Sequence, residues 1–362
     1  MGNKILLLSG YDAASHRHWR QLLVKGLPEF DWTQLVLPDR HFYWRARSNG
    51  MTFAYSHATE LSEKFDLIVA TSMVDLCSLR GFVPALASVP TIVYFHENQF
   101  DFPVRNSSTN IVNAQLTSIY TALCADCVLF NSSYNRESYF DGASRLLRKM
   151  PDGIERGIML PVEKCAQVLP VPVNPTVVPA SPRTSITGKK SVEIVWNHRW
   201  EYDKQPEVFF AAMRALKETG VKFKLHVMGQ SFRQVPECFS EARHSLSEEI
   251  VTWGFQPEEA YHAVLDKAHI VMSTALHDFQ GLSMLEAIQH GCVPVGPDRV
   301  AYPEYIPKSL LYCTDADEVK SAVARLLEVV SGELPSPPDI SCYNATELLP
   351  RYRKIFGTIM GA

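Results

Sequence analysis

The sequence has no long apolar run, no strong excess of charge of one sign and no regular array of cysteines. Its uninterrupted apolar runs, such as Ile5–Leu8 and Ile68–Ala70, have the length of a strand, far below the roughly 20 residues that span a bilayer. The apolar segment after Met1–Lys4 is not followed by a small-residue cleavage site, so no signal peptide is indicated. We therefore expect a cytoplasmic protein without a membrane partner.

The distribution of cysteines also indicates a cytoplasmic protein. Eight cysteines are scattered over the 362 residues, several of them inside apolar runs, which is typical of reduced, buried thiols rather than of a disulfide framework. Cys124 and Cys127 have the spacing of half a zinc site or of a redox pair. Because no second pair lies at metal-ligand spacing, we interpret both as packing residues.

Short apolar segments alternate with amphipathic helical patterns in both halves of the chain. This alternation predicts parallel sheets covered by helices on both faces, and the length favours two domains. In the first half, strands are expected at Lys4–Ser9, Trp32–Leu37, Asp66–Ala70, Thr91–Phe95 and Cys127–Asn131. In the second half they are expected at Glu193–Trp196, Lys222–Met228, Ile250–Gly254, Ile270–Ser273 and Val293–Gly296.

Composition suggests the domain limits. We predict an N-terminal Rossmann-like domain over 1–172, a linker rich in Pro, Ser, Thr and Gly over 173–188, and a C-terminal Rossmann-like domain over 189–338. The last segment, 339–362, is expected to be helical and to pack back on the first domain. Parallel sheets that face a central cleft bind ligands at their carboxyl ends.

The segment His277–Gly291 has the pattern of a phosphate-binding strand–loop–helix. A helix is predicted to begin near Gly281 and to stop at Gly291. Asp278 in the loop and Glu286 in the helix can accept hydrogen bonds from two sets of hydroxyls. The backbone N–H groups that can receive a phosphate are those of Gly281, Leu282 and Ser283. The alternative is a capped amphipathic helix without a ligand.

A second loop, between the strand ending at Trp196 and a helix opened by Pro206, carries two cations. Arg199 supplies a planar fork of donors and Lys204 a point charge, and two such groups can hold a diphosphate. Taken alone, the loop would more often be a solvated surface segment.

Together these two segments resemble the C-terminal half of retaining glycosyltransferases of the GT-B architecture. The resemblance implies that Arg199 and Lys204 hold the donor diphosphate and that Glu286 binds the donor ribose. It also implies that Asp278 contacts the donor sugar. The family usually has Glu where this chain has Asp278, which is shorter by one methylene. Further donor contacts implied by the resemblance are Gly229, Phe255, Phe279, Gln280, Gly281, Leu282 and Ser283.

Asp315 and Asp317 match the metal-binding motif of a different glycosyltransferase architecture. In this chain they precede a helical pattern, where acids in the first turn act as caps. Because Arg199, Lys204 and the helix start already supply positive potential, we expect no metal and no cofactor.

Polar residues also follow strands in the first half, at the expected binding edge. His96, Glu97, Asn98 and Gln99 come directly after Thr91–Phe95, while Ser15 and His16 lie in the loop after the first strand. The runs His16–Arg20 and Arg40–Arg47 interleave cations with aromatics, residue types that contact RNA phosphates and bases. Arg45 and Arg47 are the candidate phosphate contacts. The alternative places Trp19 and Phe42 in the core and leaves the arginines solvated.

Four segments, Ser15–Arg17, Arg40–Arg45, His96–Gln99 and Asn197–Lys204, are similar to the tRNA-queuosine alpha-mannosyltransferase family. The match extends over almost the whole chain. It implies GDP-mannose as the donor and queuosine in a tRNA anticodon as the acceptor, with His96 positioning the donor sugar. Alternatives are a GT-B enzyme acting on a lipid or saccharide, or a non-catalytic nucleotide- or RNA-binding protein. The oligomeric state stays open.

Overall fold

The computed structural model describes residues 2–101, 110–155, 157–174, 191–231, 235–315 and 317–361. The chain forms two compact units, one of Met1–Pro172 with Tyr343–Ala362 and the other of Val173–Cys342. Of the predicted linker at 173–188, residues 175–188 lie outside the described residues. Each unit is an α/β fold in its own right.

The first unit is built on a parallel sheet. Its strands are β1 (Lys4–Ser9), β2 (Asp31–Val36), β3 (Leu67–Thr71), β4 (Thr91–Phe95), β5 (Cys127–Phe130) and β6 (Ala166–Val168). Their order across the sheet is β2-β1-β3-β4-β5-β6, so the winding direction reverses between β1 and β3. Every residue of β3 and β4 is buried, as expected for strands with helices on both faces.

Helices cover this sheet and set the position of its loops. They are α1 (Ala14–Gly26), α2 (Phe42–Ser56), α3 (Ala58–Leu61), α4 (Leu76–Phe82), α5 (Asn110–Leu123), α6 (Ser133–Leu147) and α7 (Leu160–Cys165). Two polar residues cap helices. Asp75 accepts a hydrogen bond from the Ser78 amide at the start of α4, and Ser132 accepts one from the Asn135 amide at the start of α6.

The second unit has a parallel sheet of the same size. Its strands are β7 (Val192–Asn197), β8 (Phe223–Met228), β9 (Ile250–Gly254), β10 (Ile270–Met272), β11 (Val293–Pro297) and β12 (Leu311–Tyr312). The order is β12-β11-β10-β7-β8-β9, which reverses between β7 and β10. Ligands of such sheets bind at the carboxyl edge where the order reverses. The two-residue strand β12 was not predicted, since so short a strand has no periodicity.

The helices of the second unit follow the sequence pattern closely. They are α8 (Pro206–Glu218), α9 (Cys238–Ser245), α10 (Glu258–Leu265), α11 (Leu282–Gln289) and α12 (Glu318–Val330). Oδ1 of Asp317 accepts a hydrogen bond from the Lys320 amide at 3.1 Å, so its predicted role as a helix cap is confirmed. Among the helices of the described ranges, none is long and apolar enough to cross a membrane.

The C-terminal helix, α13 (Ala345–Met360), belongs to the first unit. Tyr352 is fully buried; its Oη accepts a hydrogen bond from Trp19 Nε1 at 3.0 Å and donates one to the Pro170 carbonyl at 2.9 Å. Trp19 is therefore a core residue, which favours the alternative that the sequence left open for the aromatic residue of His16–Arg20.

Candidate functional site

The point where the second sheet reverses its order brings together the two segments singled out from the sequence. The loop after β7 carries Arg199 and Lys204, and the loop after β10 leads to Asp278. Thr274 joins these loops, because its Oγ1 donates a hydrogen bond to the Lys204 carbonyl at 2.7 Å. The Leu276 amide donates to the Asp203 carbonyl at 2.8 Å. The predicted basic loop and acidic loop are thus one connected structure.

Lys204 is a buried cation held between carboxylates. Its Nζ donates to the His277 carbonyl at 2.5 Å and lies 3.4 Å from Asp203 Oδ2 and 3.5 Å from Asp278 Oδ2. Only 6% of the residue is exposed. A buried charge of this kind is stable only with such partners. Lys204 therefore fixes the acidic loop in addition to supplying positive potential.

Asp278 is ionised at neutral pH. Its burial acts to raise the pKa, but attraction by Lys204, then by His198, together with a hydrogen bond from Tyr302, outweighs burial and holds the pKa of Asp278 below its ordinary value. The Tyr302 Oη lies 2.8 Å from Asp278 Oδ2 and 2.7 Å from Ser273 Oγ. The carboxylate is thus fixed in orientation, as an acceptor for ligand hydroxyls requires.

Arg199 differs from Lys204 in being half exposed. Its Nη1 lies 2.6 Å from Glu201 Oε2, and its Nη2 lies 3.8 Å from Asp203 Oδ2. These neighbours hold the guanidinium at the edge of the cluster while leaving part of it accessible. Of the two predicted phosphate-binding cations, Arg199 is the more exposed to solvent.

Gly281 sets the start of α11. It adopts φ of 78°, a left-handed conformation, and a Cβ at this position would lie 2.5 Å from the Tyr305 hydroxyl. Only glycine fits without strain. The helix itself begins at Leu282, with Gly281 as its N-cap, as predicted, and ends at Gln289, with Gly291 (φ 86°) just beyond it. The amide groups of this first turn lie at the carboxyl edge of the sheet.

Glu286 is oriented by a residue that the sequence analysis missed. Tyr261 on α10 donates a hydrogen bond from its Oη to Glu286 Oε2 at 3.0 Å. The Tyr261 Oη also accepts a hydrogen bond from Asn197 Nδ2 at 2.9 Å. Asn197 Nδ2 also donates to the Ser283 carbonyl at 2.8 Å. This chain of contacts joins the end of β7 to α10 and α11. Tyr261 lies in no motif, so no local signal identified it.

His198, also missed as a site residue, lies buried between the two loops. Burial, followed by repulsion from Lys204, lowers the pKa of His198 to about 4 in spite of the nearby Asp278. Its Nδ1 lies 3.4 Å from Ser283 Oγ. Within the described part of the chain its Nε2 has no hydrogen-bond partner. A neutral imidazole with an unused nitrogen can contact a polar ligand atom.

The remaining predicted donor residues lie on the loops around this cluster. Gly229 follows β8, and a Cβ there would lie 1.8 Å from the His198 carbonyl oxygen, so this close approach of two loops requires glycine. Phe255 follows β9 with 72% of its surface exposed. Phe279 and Gln280 are buried, and the Phe279 ring lies edge-on to the ring of His277 at 4.4 Å.

The first unit has its own polar cluster, at the carboxyl edge of β1 and β4. The rings of His16 and His96 stack at 4.1 Å, with Trp19 edge-on to His96 at 4.9 Å. Both histidines are buried, and none of their four ring nitrogens has a hydrogen-bond partner among the described residues. Burial, then repulsion from His16 and His18, holds the pKa of His96 well below its ordinary value. The His96 ring is therefore neutral at physiological pH.

The other members of the His96–Gln99 segment have different environments. The amide of Asn98 is used within the unit: Nδ2 donates to Asn135 Oδ1 and Ser138 Oγ, both at 2.9 Å, and Oδ1 accepts from the Phe100 amide. The Gln99 side chain is buried, and the Glu97 carbonyl accepts a hydrogen bond from Ser72 at 3.4 Å. Asn98 thus shapes the loop on which His96 lies.

The predicted RNA contacts lie on α1 and α2. Ser15 is half-buried in the first turn of α1. Arg45 donates from Nε to the Arg40 carbonyl at 2.9 Å, and Arg47 is half exposed with Nη1 at 3.4 Å from Asp75 Oδ2. Arg45 is half-buried, and Arg17 and Arg20 of the His16–Arg20 run lie beside Asp12 in the same way as Arg47 lies beside Asp75.

The described ranges contain no group of three or more His, Cys, Asp or Glu residues that could hold a metal ion. Cys124, interpreted from its CxxC spacing as a packing residue, lies beside a different cysteine: its Sγ is 3.2 Å from that of Cys77. Cys127 is buried in β5.

With this geometry in place, comparison with known proteins decides the family. Residues 4–173 match the family described as tRNA-queuosine alpha-mannosyltransferase N-terminal, and residues 192–329 match glycosyl transferases group 1. The chain is 33% identical over 364 residues to a tRNA-queuosine alpha-mannosyltransferase of Drosophila melanogaster, which covers 97% of this chain and 96% of that protein. The chain belongs to the tRNA-queuosine alpha-mannosyltransferase family. It is a glycosyltransferase, as the sequence resemblance implied.

The fold of this family member was also compared with solved structures. A lipopolysaccharide outer core galactosyltransferase matches with a TM-score of 0.65 at 15% identity, covering 99% of this chain and 100% of the other. An alpha,alpha-trehalose-phosphate synthase from Burkholderia xenovorans matches with a TM-score of 0.66 at 12% identity, covering 100% of both chains. At such low identity the likeness concerns the fold alone. The predicted GT-B architecture is confirmed.

Proposed function

We propose that this protein is a retaining glycosyltransferase that moves mannose from GDP-mannose to the queuosine of a tRNA anticodon. The observation that carries the proposal is the joined cluster of Arg199, Lys204, Asp278 and Glu286 at the reversal point of the second sheet, in a chain of the tRNA-queuosine alpha-mannosyltransferase family. The sugar and the acceptor follow from the name of the Drosophila relative. Guanosine as the donor base is an expectation from the family resemblance.

On the donor side, the diphosphate would lie against Arg199 and the amides at the start of α11. These groups stabilise the negative charge that develops as the leaving group departs. Glu286, oriented by Tyr261, would accept hydrogen bonds from the ribose hydroxyls, and Asp278 from hydroxyls of the mannose. Lys204 holds Asp278 in place and adds positive potential. This arrangement supports transfer without a metal ion.

In the transfer step, the bond between mannose C1 and the β-phosphate oxygen breaks, and a bond forms between C1 and a queuosine hydroxyl oxygen on the same face. The proton of that hydroxyl passes to the departing diphosphate, so the products are mannosylated tRNA and protonated GDP, which then releases this proton to solvent. Because the leaving diphosphate takes the proton, no side chain is required as a base. His96 is neutral, and its ring nitrogens have no hydrogen-bond partner in the part of the chain that the structure describes, so it is suited to position the sugar.

The test incubates the protein with GDP-mannose and tRNA that carries or lacks queuosine, followed by mass measurement of the digested nucleosides. A hexose is expected on queuosine alone. Other nucleotide sugars in the same assay examine the donor base and the sugar separately. Addition of hexose to both tRNAs, or to a saccharide or lipid instead, would contradict the tRNA acceptor but leave the donor site intact. Release of GDP without any glycosylated product would contradict the transferase itself.

A further inference from the structure

Helix α2 presents a row of large apolar side chains to solvent. Trp44 is 79% exposed, Met51 52% and Tyr55 72%, and these positions are spaced by seven and four residues, so they lie on one face of the helix. Phe82, at the end of α4, is 46% exposed and its ring lies 5.6 Å from that of Tyr55. We call these four residues the outer face of α2.

The outer face is fixed in direction by the packing of the opposite side of the helix. Its inward residues are Ala46, Asn49, Gly50, Phe53 and Ala54, all buried. A Cβ at Gly50 would lie 2.8 Å from the Asp75 carbonyl oxygen, so the helix packs closely against the start of α4. Rotation of α2 to bury Trp44 would break these contacts. The exposure of the aromatic side chains is therefore built into the fold.

The charged residues of helix α2 itself are all cations, and the Asp75 carboxylate at the start of α4 lies 3.4 Å from Arg47. Helix α2 contains no Asp or Glu. At 100° per residue, Arg45 and Arg47 lie on opposite sides of the row formed by Trp44 and Tyr55. Aromatic rings take stacked bases, and flanking arginines contact the phosphates between them. An apolar surface for a folded protein partner would not need cations along both edges.

Helix α2, which carries the outer face, packs with its inner side beside the carboxyl edge of the first sheet. Tyr11, in the loop after β1, contacts the ring of Phe42 at 5.4 Å. Asn49 Nδ2 donates to the Met73 carbonyl at 2.8 Å, and Asn49 Oδ1 accepts from the Asp75 amide at 2.8 Å. These contacts tie α2 to the loops after β1 and β3. The same edge carries the stacked pair His16 and His96.

We propose that the outer face of α2 binds unpaired nucleotides of the RNA acceptor by base stacking. The choice of RNA rests on the proposed function, whereas the surface itself rests on exposure, spacing and charge. The proposal names the side chains on which the bases stack, beside Arg45 and Arg47 as the candidate phosphate contacts. It also implies that the protein binds single-stranded segments of the RNA, since stacking on a protein ring requires bases that are not paired in a duplex.

The test compares binding of two RNAs of equal charge, a hairpin with an unpaired loop and a fully paired duplex. The variants are Trp44→Ala and Tyr55→Ala, with Trp44→Phe to restore an aromatic ring. Leu160→Ala is the matched control, because Leu160 is 54% exposed in the same unit but lies on α7. Melting temperature and GDP binding are measured for each variant.

Trp44→Ala and Tyr55→Ala are each expected to weaken hairpin binding about tenfold, the effect of losing one stacked base. Binding of the duplex, the salt dependence and GDP affinity should stay as in the wild type, and Trp44→Phe should recover most of the loss. Arg45→Glu, in contrast, should weaken both RNAs and flatten the salt dependence. Leu160→Ala should change nothing.

Equal effects of Trp44→Ala on hairpin and duplex, or no effect on either, would overturn the stacking proposal. So would sedimentation showing a dimer of this chain that Trp44→Ala dissociates, since the face would then be a contact between copies. If the wild type transfers no mannose but its binding of the hairpin still depends on Trp44 and Tyr55, the proposed function is contradicted and the stacking proposal stands. If mannose transfer is normal and neither Trp44→Ala nor Tyr55→Ala changes hairpin affinity, the stacking proposal is contradicted and the proposed function stands.

Discussion

Arg199 and Lys204 share a loop but differ in burial, and this difference predicts two distinct phenotypes. Arg199→Ala removes a half-exposed cation, so donor affinity measured by calorimetry should fall about tenfold with little change in melting temperature. Lys204→Ala also leaves the buried Asp203 and the partly buried Asp278 without their cation, and should lower the free energy of unfolding by about 3–5 kcal/mol. Donor affinity that is normal in Arg199→Ala would remove that residue from the phosphate site.

Tyr261 is expected to orient Glu286 toward the donor ribose. Tyr261→Phe removes one hydrogen bond to Glu286 Oε2, so GDP affinity should fall about threefold to tenfold. The decisive measurement compares GDP with an analogue lacking both ribose hydroxyls. The wild type should lose more affinity for the analogue than Tyr261→Phe does, because the variant already binds the hydroxyls poorly. Equal losses would mean that Tyr261 has no part in ribose binding. Tyr120→Phe, at the surface of the first unit, serves as a control.

At the scale of elements, the loop after β8 depends on one glycine. Gly229 has φ of 149° and a Cβ there would lie 1.8 Å from the His198 carbonyl oxygen. Gly229→Ala should therefore displace the loop that carries His198 and weaken GDP binding. Gly220→Ala is a matched control, since Gly220 also has positive φ (85°) but open space around its Cβ position. Gly220→Ala should lower the free energy of unfolding by only about 1 kcal/mol, because of backbone strain, and should leave GDP affinity unchanged. Similar behaviour of the two variants would contradict the importance of the close approach.

The elements themselves were largely readable from the sequence. Strands such as β1 (Lys4–Ser9) and β4 (Thr91–Phe95) have the predicted bounds, because buried parallel strands are continuous apolar runs. Helix α8 begins at Pro206, as its missing amide favours. Helix α11 begins at Leu282, directly after the predicted Gly281. The close approach of the Tyr305 hydroxyl to Gly281 could not be predicted from the local pattern, because the two residues are distant in sequence.

Over the whole molecule, buried neutral histidines make stability depend on pH. His96 has a pKa held well below 6.5, and burial lowers the pKa of His198 and of His277 to about 4. Below pH 6.5 the unfolded chain binds protons that the folded state does not, so stability is complete above that pH and falls as pH drops toward the folded pKa values. Between pH 6.5 and its folded-state pKa, each histidine lowers the free energy of unfolding by about 1.4 kcal/mol for each pH unit of acidification.

Urea unfolding between pH 7.5 and pH 5 measures this dependence. His198→Gln, which removes one of the three groups, should give a shallower loss of stability on acidification than the wild type. An unchanged slope in His198→Gln, or stability that rises as pH falls, would contradict the burial of a neutral ring at this position.

Activity of the whole enzyme is expected to survive chelation. Arg199 and the amides at the start of α11 supply positive potential, and Asp317 is occupied as the cap of α12. Transfer of mannose should therefore proceed in excess EDTA at nearly the rate seen with magnesium. Loss of activity on chelation, with recovery on addition of manganese or magnesium, would show that a metal takes part in diphosphate binding.

The sequence by itself determined the features that depend on local pattern. Alternating strands and helices indicated two α/β folds, and the spacing of Arg199 and Lys204, and of Asp278 and Glu286, indicated a donor site. A pattern of this kind is visible because its residues are close together in the chain. The roles of these residues at the donor site stay predictions.

Only the tertiary structure decided how the distant parts meet. It buries Lys204 between two carboxylates, places Tyr261 against Glu286, stacks His16 on His96, and leaves Trp44 exposed while Trp19 is buried. These pairs are separated by many residues, and the choice between core and surface for a tryptophan depends on what packs beside it. Tyr352 of the C-terminal helix covers Trp19, whereas Trp44 on the outer face of α2 is 79% exposed. Such contacts are fixed by the complete fold, because local periodicity gives a residue's face on its element but not the partner that covers that face.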